Sequence, residues 1–406
     1  MQKTILMLGG SRQQVIAIKK AKKLGYRTVL CDYLPDNPGQ HEVDVFYQES
    51  TTDRDKILEI AHRENVSGVL AYSSDPASPT AGYVAEKLGL PTNPLRSIEI
   101  MSEKHLFRAF LRENGLPCPN AVSIALEDNL EAVMKKLSSL QLPIVIKPTD
   151  SSGSKGVSFI KSLDRVEEAI VAAARFSRNG ILIAEEYIDR SFPEVIGGDI
   201  FVVDGKIEFY GLMTCSRDER LGGLVPVGKK TPPAISRTEY DAVCRVLQDL
   251  VQKLHIVFGE LNVELLIGKG GVPFILELGS RAGGNMIPVQ LSDVSGIDLV
   301  AANVSAAMGD NLPSLSWSSF DASSACATYV VHSRGAGRLR EVSIPDDIQK
   351  YIYRAVWYKN RGDEVQLFDG ANKAIGILFL SFDNTSTMAE VCARLNDDVC
   401  VLLEGE

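Results

Sequence analysis

Short runs of continuous apolar residues alternate with stretches of helical spacing along this chain. Thr4–Leu8 reads as a buried strand. Val15, Ile16, Ala21 and Leu24 then recur at helical spacing until Gly25, and Thr28–Cys31 is a second strand, ended by Asp32. This is a βαβ unit, which predicts parallel strands and a right-handed crossover. The alternation repeats as a helix over 53–64 with Ile57, Leu58 and Ala61 inward, a strand over 67–71 and a helix over 77–87. The loops after Leu8, Cys31 and Ala71 leave the carboxyl ends of these strands, where parallel sheets gather ligands. The pattern bounds a first α/β domain over residues 1–98.

From residue 99 helices mix with hairpins. A helix is expected over 101–114, with Ser102 as N-cap and Lys104 in its first turn. A cation there opposes the helix dipole, so Lys104 is either the partner of an anion or a solvated surface residue. After a helix over 130–140, apolar Ile144–Ile146 leads to Lys147, a small-residue loop over 150–156 (DSSGSKG) and a second strand over 157–160. Small residues and free amides at such a hairpin tip suit it to lie over a polyphosphate; ordinary turn chemistry is the alternative. A helix over 165–178 precedes a strand over 181–184 that runs into Glu185 and Glu186. Successive strand residues face opposite sides, so only one of these two should face a given cleft. Glu194 and a hairpin turning at Asp204-Gly205 follow. Residues 214–237, rich in Gly, Pro, Arg and Lys, read as a long functional loop.

A helix over 238–255 precedes strands over 259–267 and 274–278, and each strand carries a carboxylate, Glu264 and Glu277. Carboxylates among apolar strand residues are costly unless paired or metal-bound. Antiparallel neighbours would bring the two together, and a divalent cation would neutralise them; oxygen donors select Mg2+ or Mn2+. One Glu in an ion pair and one on a solvated face is the alternative. Arg281 follows closely, suited to a planar grip on phosphate or carboxylate, or to a structural salt bridge. A helix over 295–308 closes a second domain, 99–310. Beyond it, strands over 325–331, 352–357 and 374–381 and a helix over 387–395 predict a C-terminal α+β domain, 311–406, in which no chemistry is legible. Residues 334–338 read as a solvated turn.

Composition narrows the function classes. A chain of 406 residues exceeds one core, and 45% hydrophobic with 23% charged residues is ordinary for a globular protein. The net charge of −9 argues against nucleic acid and anionic membranes as partners. No apolar run reaches the ~20 residues of a membrane span, and the first apolar run, ending in Gly9-Gly10, reads as a strand and not as a signal peptide. Seven scattered cysteines without a CxxC pair predict reduced thiols and a cytoplasmic setting. The GGSRQQ turn lacks the third glycine of a dinucleotide fingerprint, which sets a dehydrogenase aside.

Taken in order, Lys104, Lys147, the Gly/Ser loop, the Glu-Glu-Tyr-Ile strand end at 185–188, Glu264 and Glu277 resemble the ATP-grasp superfamily over residues 1–310. Biotin carboxylase, carbamoyl phosphate synthetase, glycinamide ribonucleotide synthetase, D-alanine ligase and L-amino-acid ligases share this layout. The resemblance implies a multidomain α/β and α+β fold: an N-terminal parallel βαβ domain, an ATP-grasp core with a β-hairpin lid over 118–188, and a β-rich C-terminal part. It implies that Lys104 and Lys147 contact ATP phosphates beneath a lid formed by Ser151, Ser152, Gly153, Ser154 and Gly156. Glu185, Glu186, Tyr187 and Ile188 would meet adenine, and Glu194 the ribose hydroxyls. Glu264 and Glu277 would bind Mg2+ (or Mn2+), and Arg281 would steady an acyl phosphate.

Many members read Glu-x-Asn-x-Arg at the second metal Glu, with Asn as a further ligand. This chain reads Glu277-Leu-Gly279-Ser-Arg281, and Asn285 is the candidate to complete the shell. The Arg-Ala-Gly-Gly-Asn run resembles the amino-acid-ligase branch more than biotin carboxylase. The implied activity joins a small-molecule carboxylate to an amine through an acyl phosphate, with ADP and phosphate released, and Arg217 and Arg220 as candidate carboxylate holders. The rival readings are a glycinamide ribonucleotide synthetase-like or carbamoyl phosphate synthetase-like reaction and a non-catalytic ATP-binding protein. Folds of this kind often dimerise, which admits a homodimer; no nucleic-acid or membrane partner is expected.

Overall fold

A computed structural model describes every residue except Met1, Ser152, Ser154, Leu224 and Glu406. The expectations for Ser152 and Ser154 therefore lie outside the described residues. Four parallel strands form the N-terminal sheet: β1 (Thr4–Leu8), β2 (Arg27–Asp32), β3 (Val45–Gln48) and β4 (Gly68–Leu70), in the order β3-β2-β1-β4. Helices α1 (Val15–Lys23), α2 (Arg54–Arg63) and α3 (Ser78–Leu88) pack against it. β1 is buried along its whole length, with Leu6 and Leu8 in one apolar cluster and Ile5 and Met7 in another, because a parallel sheet must be covered on both faces. Gly9 takes φ +106°, and a Cβ there would lie 2.2 Å from Gln14 Nε2, so only glycine fits this turn. Asp32 serves the same turn, accepting from Gly10 N (2.7 Å) and Leu34 N (2.9 Å).

The single helix expected over 101–114 is two: α4 (Leu95–Ser102) and α5 (Lys104–Glu113), separated by extended Glu103. Ser102 is consequently not an N-cap; its hydroxyl donates back to Ile98 O (2.8 Å). The first amide of α5 finds a tertiary partner instead, since Lys104 N donates to Thr149 O (2.9 Å).

The next segment forms its own antiparallel sheet. Strands β5 (Ala121–Ala125), β6 (Ile144–Pro148), β7 (Ser158–Ile160) and β8 (Ile181–Glu186) are ordered β5-β8-β6-β7. Helices α6 (Leu130–Leu137) and α7 (Val166–Ala174) press Val133, Leu137, Val166 and Ala169 onto Ile144, Ile146, Leu182 and Ala184. Period-two alternation then sends Val145, Lys147 and Glu185 to the opposite face, toward the cleft described below.

The main sheet begins with β9 (Val195–Val203), β10 (Lys206–Arg217) and β11 (Pro226–Thr231) and continues, after helix α8 (Arg237–Lys253), with β12 (Phe258–Gly268) and β13 (Val272–Gly279). Residues 214–237 are thus not one long loop: β10 runs to Arg217, and β11 pairs antiparallel with it. A capping box between Ser236 and Glu239 starts α8. Buried Val243, Leu247, Leu250 and Val251 of α8 join Ile200, Leu261, Val263 and Leu278 of the sheet, each such side chain worth ~1.5–3 kcal/mol of burial. Likewise the helix expected over 295–308 is two, α9 (Ile287–Ser295) and α10 (Leu299–Ala307). Left-handed Gly296 ends the first, and Asp298 caps the second through Ala301 N.

The C-terminal strands are β14 (Trp317–Ser318), β15 (Ala325–Val331), β16 (Gly337–Ser343), β17 (Ile352–Trp357), β18 (Glu364–Val365), β19 (Gly376–Phe382) and β20 (Cys400–Leu403). Helices α11 (Asp346–Gln349) and α12 (Thr385–Asp398) lie between them. The main sheet is ordered β13-β12-β9-β10-β11-β15-β19-β17, so it continues across residues 310 and 311. All seven cysteines are free thiols. Among the described residues no helix is long and apolar enough to cross a membrane.

Candidate active site

The lid sheet, the main sheet, the N-terminal loops and the C-terminal part surround one cleft of about 1210 Å³. That exceeds the usual room for one small ligand, ~300–1,000 Å³. Its floor is the β12–β13 ladder. Glu264 stands directly opposite Glu277 in the antiparallel register, with Asn262 opposite Gly279 one step along the same face. Neither carboxylate is buried as its apolar neighbours suggested. Both are half-exposed, and the Glu277 side chain keeps 40% of its surface because the ladder faces the cleft.

Lys104 closes over this floor, its Nζ lying 2.9 Å from Glu277 Oε1 and donating to Ser151 O at 2.7 Å. It therefore joins the acidic ladder to the base of the small-residue loop. Ser151 and Gly153 line the cleft; Gly156 turns with φ +70° against α7.

Lys147 and Glu185 sit together on the inner face of the lid sheet, both buried, with Nζ 2.7 Å from Oε2. Buried Arg108 of α5 lies 2.8 Å from Glu185 Oε1 through Nε and donates to Ile275 O and Leu276 O through its terminal nitrogens. Burial alone would push Glu185 up, but Arg108 and Lys147 override it and hold it down to about 2. Burial pulls the Lys147 ammonium below its ordinary value against the attraction of Glu185. Glu185 is thus the counter-ion of Lys147 and the tie of the lid sheet to β13. Glu186 also lines the cleft, and its carboxylate accepts from Asn120 Nδ2 (2.9 Å) and Gln141 N (2.8 Å), so both residues of the pair border it. Tyr187 and Ile188 line the cleft next to Phe159, whose ring meets Tyr187 edge-on at 5.1 Å. Glu194, at the same end, pairs with Lys230 at 2.8 Å.

Arg281 lines the cleft but is held by Asp75 of the N-terminal domain, Nε to Oδ1 at 2.7 Å and Nη2 to Oδ2 at 2.9 Å. Asn285 is left-handed (φ +52°); its amide donates to Gln13 Oε1 (2.7 Å), and its own Oδ1 is buried without a hydrogen-bond partner. Arg217 lines the cleft and donates to Gly223 O (2.9 Å). Arg220 does not line it: the side chain lies 3.4 Å from Asp218 and 2.5 Å from Asp397, fastening the β10–β11 connection to α12.

Several cleft residues escaped the sequence reading. Lys229 of β11 is buried and donates to Cys215 Sγ at 2.8 Å; burial works against its charge, but Cys215 and Glu264 raise its pKa above the ordinary value. Arg12, Tyr358, Lys359 and Asn372 also line the cleft, so the C-terminal part, in which no chemistry was legible, places polar side chains along it. A strand rich in Lys and Gly carried no alternation strong enough to reveal Lys229.

An N-terminal parallel sheet, a four-stranded lid and a large antiparallel sheet enclosing two in-register carboxylates define the ATP-grasp class. The family model described as "Carbamoyl-phosphate synthase L chain, ATP binding domain" matches residues 103–315, and this chain belongs to that family. The chain is similar to the carbamoyl phosphate synthase large chain of Thermotoga petrophila, 26% identical over 297 residues that cover 72% of this chain and 26% of the relative. It thus spans about a quarter of that relative's length. Among solved structures, it is similar to an L-amino acid ligase from Bacillus licheniformis, with TM-score 0.81, 18% identity and coverage of 100% of this chain and 99% of that one. It is also similar to the biotin carboxylase domain of Hydrogenobacter thermophilus 2-oxoglutarate carboxylase, solved with MgADP and bicarbonate, with TM-score 0.76, 14% identity and coverage of 99% and 91%.

Proposed function

We propose that this chain is an ATP-dependent ligase that joins a small-molecule carboxylate to an amine. A carboxylate oxygen attacks the γ-phosphorus of ATP, giving an acyl phosphate and ADP; the amine then attacks the acyl carbon and expels phosphate. The observation that carries this reading is the pairing of Glu264 with Glu277 in the same cleft as Lys147. Among the described residues no three acidic, histidine or cysteine side chains converge, so the donor set fits a cation that keeps other oxygen ligands, as Mg2+ or Mn2+ does. Glu264 and Glu277 would hold that cation, whose charge would offset the phosphate oxygens.

Lys147, pinned by Glu185, presents a fixed positive charge to the phosphates, and Lys104 joins it when it leaves Glu277. Pre-set charge of this kind lowers the barrier without reorganisation at the moment of reaction. Tyr187 and Ile188 offer an apolar wall for the base, Glu194 lies near the ribose, and the 150–156 loop excludes water from the acyl phosphate. Arg281, Asn285 and Arg217 orient the reacting acid. Similarity to an amino acid ligase and to a carboxylase domain solved with MgADP supports the nucleotide and metal parts of this proposal. A cytoplasmic location is part of it, in keeping with the free thiols.

A second reading, a glycinamide ribonucleotide synthetase-like reaction on a phosphorylated substrate, is favoured by Arg12 and Lys359 in the cleft. Release of ADP, screened over acids and amines with and without a phosphate group and with products weighed by mass spectrometry, separates the two. In the same assay Glu277→Gln abolishes substrate-dependent ADP release; near-wild-type release would overturn the metal assignment.

A further inference from the structure

We infer that Asn262 supplies, from the neighbouring strand, the neutral oxygen that Gly279 cannot give the cation held by Glu264 and Glu277. This rests on the nucleotide–metal reading above.

Four positions form a rectangle on the cleft face of the β12–β13 ladder: Asn262 opposite Gly279, and Glu264 opposite Glu277. The register shift comes after Glu264, so Asn262 and Glu264 keep strict alternation and share a face. Asn262 lines the same cleft as both carboxylates.

The orientation of its amide is dictated by its neighbours. The Nδ2 group donates to Gly198 O (2.9 Å) and to Asp199 Oδ1 (2.8 Å). Both partners are acceptors, so only the NH2 group can face them, and Oδ1 must point the other way. Asp199 is fully buried and also accepts from Gly283 N (2.9 Å), which fixes Asn262 and the turn after Arg281 from one carboxylate.

Gly279 has no side chain to offer, and one placed there would crowd its neighbours. A Cβ there would sit 3.1 Å from Asp75 Oδ1 and 3.5 Å from Arg281 Nε. The Asp75–Arg281 pair borders the space a side chain at 279 would use, and Asn262 is the neutral side chain opposite it across the ladder.

The test is Mn2+ binding to the full chain with ADP, followed by electron paramagnetic resonance, beside ADP binding without metal, followed by calorimetry. Asn262→Ala is expected to weaken Mn2+ binding at least tenfold and leave metal-free ADP affinity unchanged. Unchanged Mn2+ affinity overturns the assignment, and so does a parallel loss of metal-free ADP binding, which marks a structural role only. Should the alanine variant not fold, Asn262→Thr, suited to a strand, is read by the same two titrations. If the wild-type chain itself binds ADP but no Mn2+, the metal reading fails first, and Asn262 falls with it.

Discussion

Asp75 grips Arg281 with two parallel contacts, 2.7 and 2.9 Å, and in doing so joins the N-terminal domain to the floor of the cleft. A bidentate pair of this type fixes both the position and the plane of the guanidinium. Asp75→Ala should cost about 1.5–3 kcal/mol, the range for hydrogen bonds to charged groups, read by urea unfolding. Arg281→Lys should not rescue the pairing, because an ammonium lacks the planar fork.

The buried Arg108–Glu185–Lys147 cluster predicts acid sensitivity. Glu185 is held down to about 2 from its ordinary value of 4.5. Its contribution is therefore complete above pH 4.5 and is lost as the pH falls toward 2, since the unfolded chain takes up the proton first. Asp218, buried beside His332 and Arg334 and also held to about 2, adds to the same window. Glu185→Gln should lower stability at neutral pH by ~3–5 kcal/mol, as one partner of a buried pair is lost, and flatten the acid limb. Unfolding followed by circular dichroism between pH 2 and 7 measures both.

Gly279→Asn gives the chain the Glu-x-Asn-x-Arg pattern that the ATP-grasp resemblance implies, yet should not tighten metal binding here. Its Cβ meets Asp75 and Arg281 at 3.1–3.5 Å, and overpacking of this kind costs ~1–3 kcal/mol. A lower melting temperature with Mn2+ affinity no better than wild type is the expected outcome.

Gly198 sits in the centre of the main sheet with φ +143°, where a Cβ would lie 2.0 Å from Gly211 O. Backbone cannot yield as a side-chain tip can, so β9 and β10 would have to separate. Gly198→Ala should destabilise by at least ~3 kcal/mol, combining strain with overpacking, seen as loss of soluble protein or of cooperative unfolding.

The periodic segments were legible without coordinates. Thr4–Leu8 and the 325–331 strand are apolar throughout because both of their faces are buried, and the α8 stripe shows its period because that helix buries one face. The opposition of Glu264 and Glu277 was legible too: two strands joined by a tight Gly-rich turn have little choice but to pair antiparallel. Where the outcome depended on distant partners, sequence reasoning stopped short. The break at Glu103 exists because Thr149 satisfies the first amide of α5. Residues 226–231 become a strand because β10 and β15 offer edges on both sides. Glu185 became a counter-ion and not a free cleft carboxylate because Arg108 arrives from a helix far away in the chain.

Local sequence thus determined the strongly periodic helices and strands and which residue types carry charge, since propensity and alternation act over a few positions. Only the tertiary structure decided who faces whom: Asp75 with Arg281, Lys104 with Glu277, Asn262 opposite Gly279. Those choices depend on burial and on Coulomb interactions between groups brought together by folding, and neither is a property of any short stretch of chain.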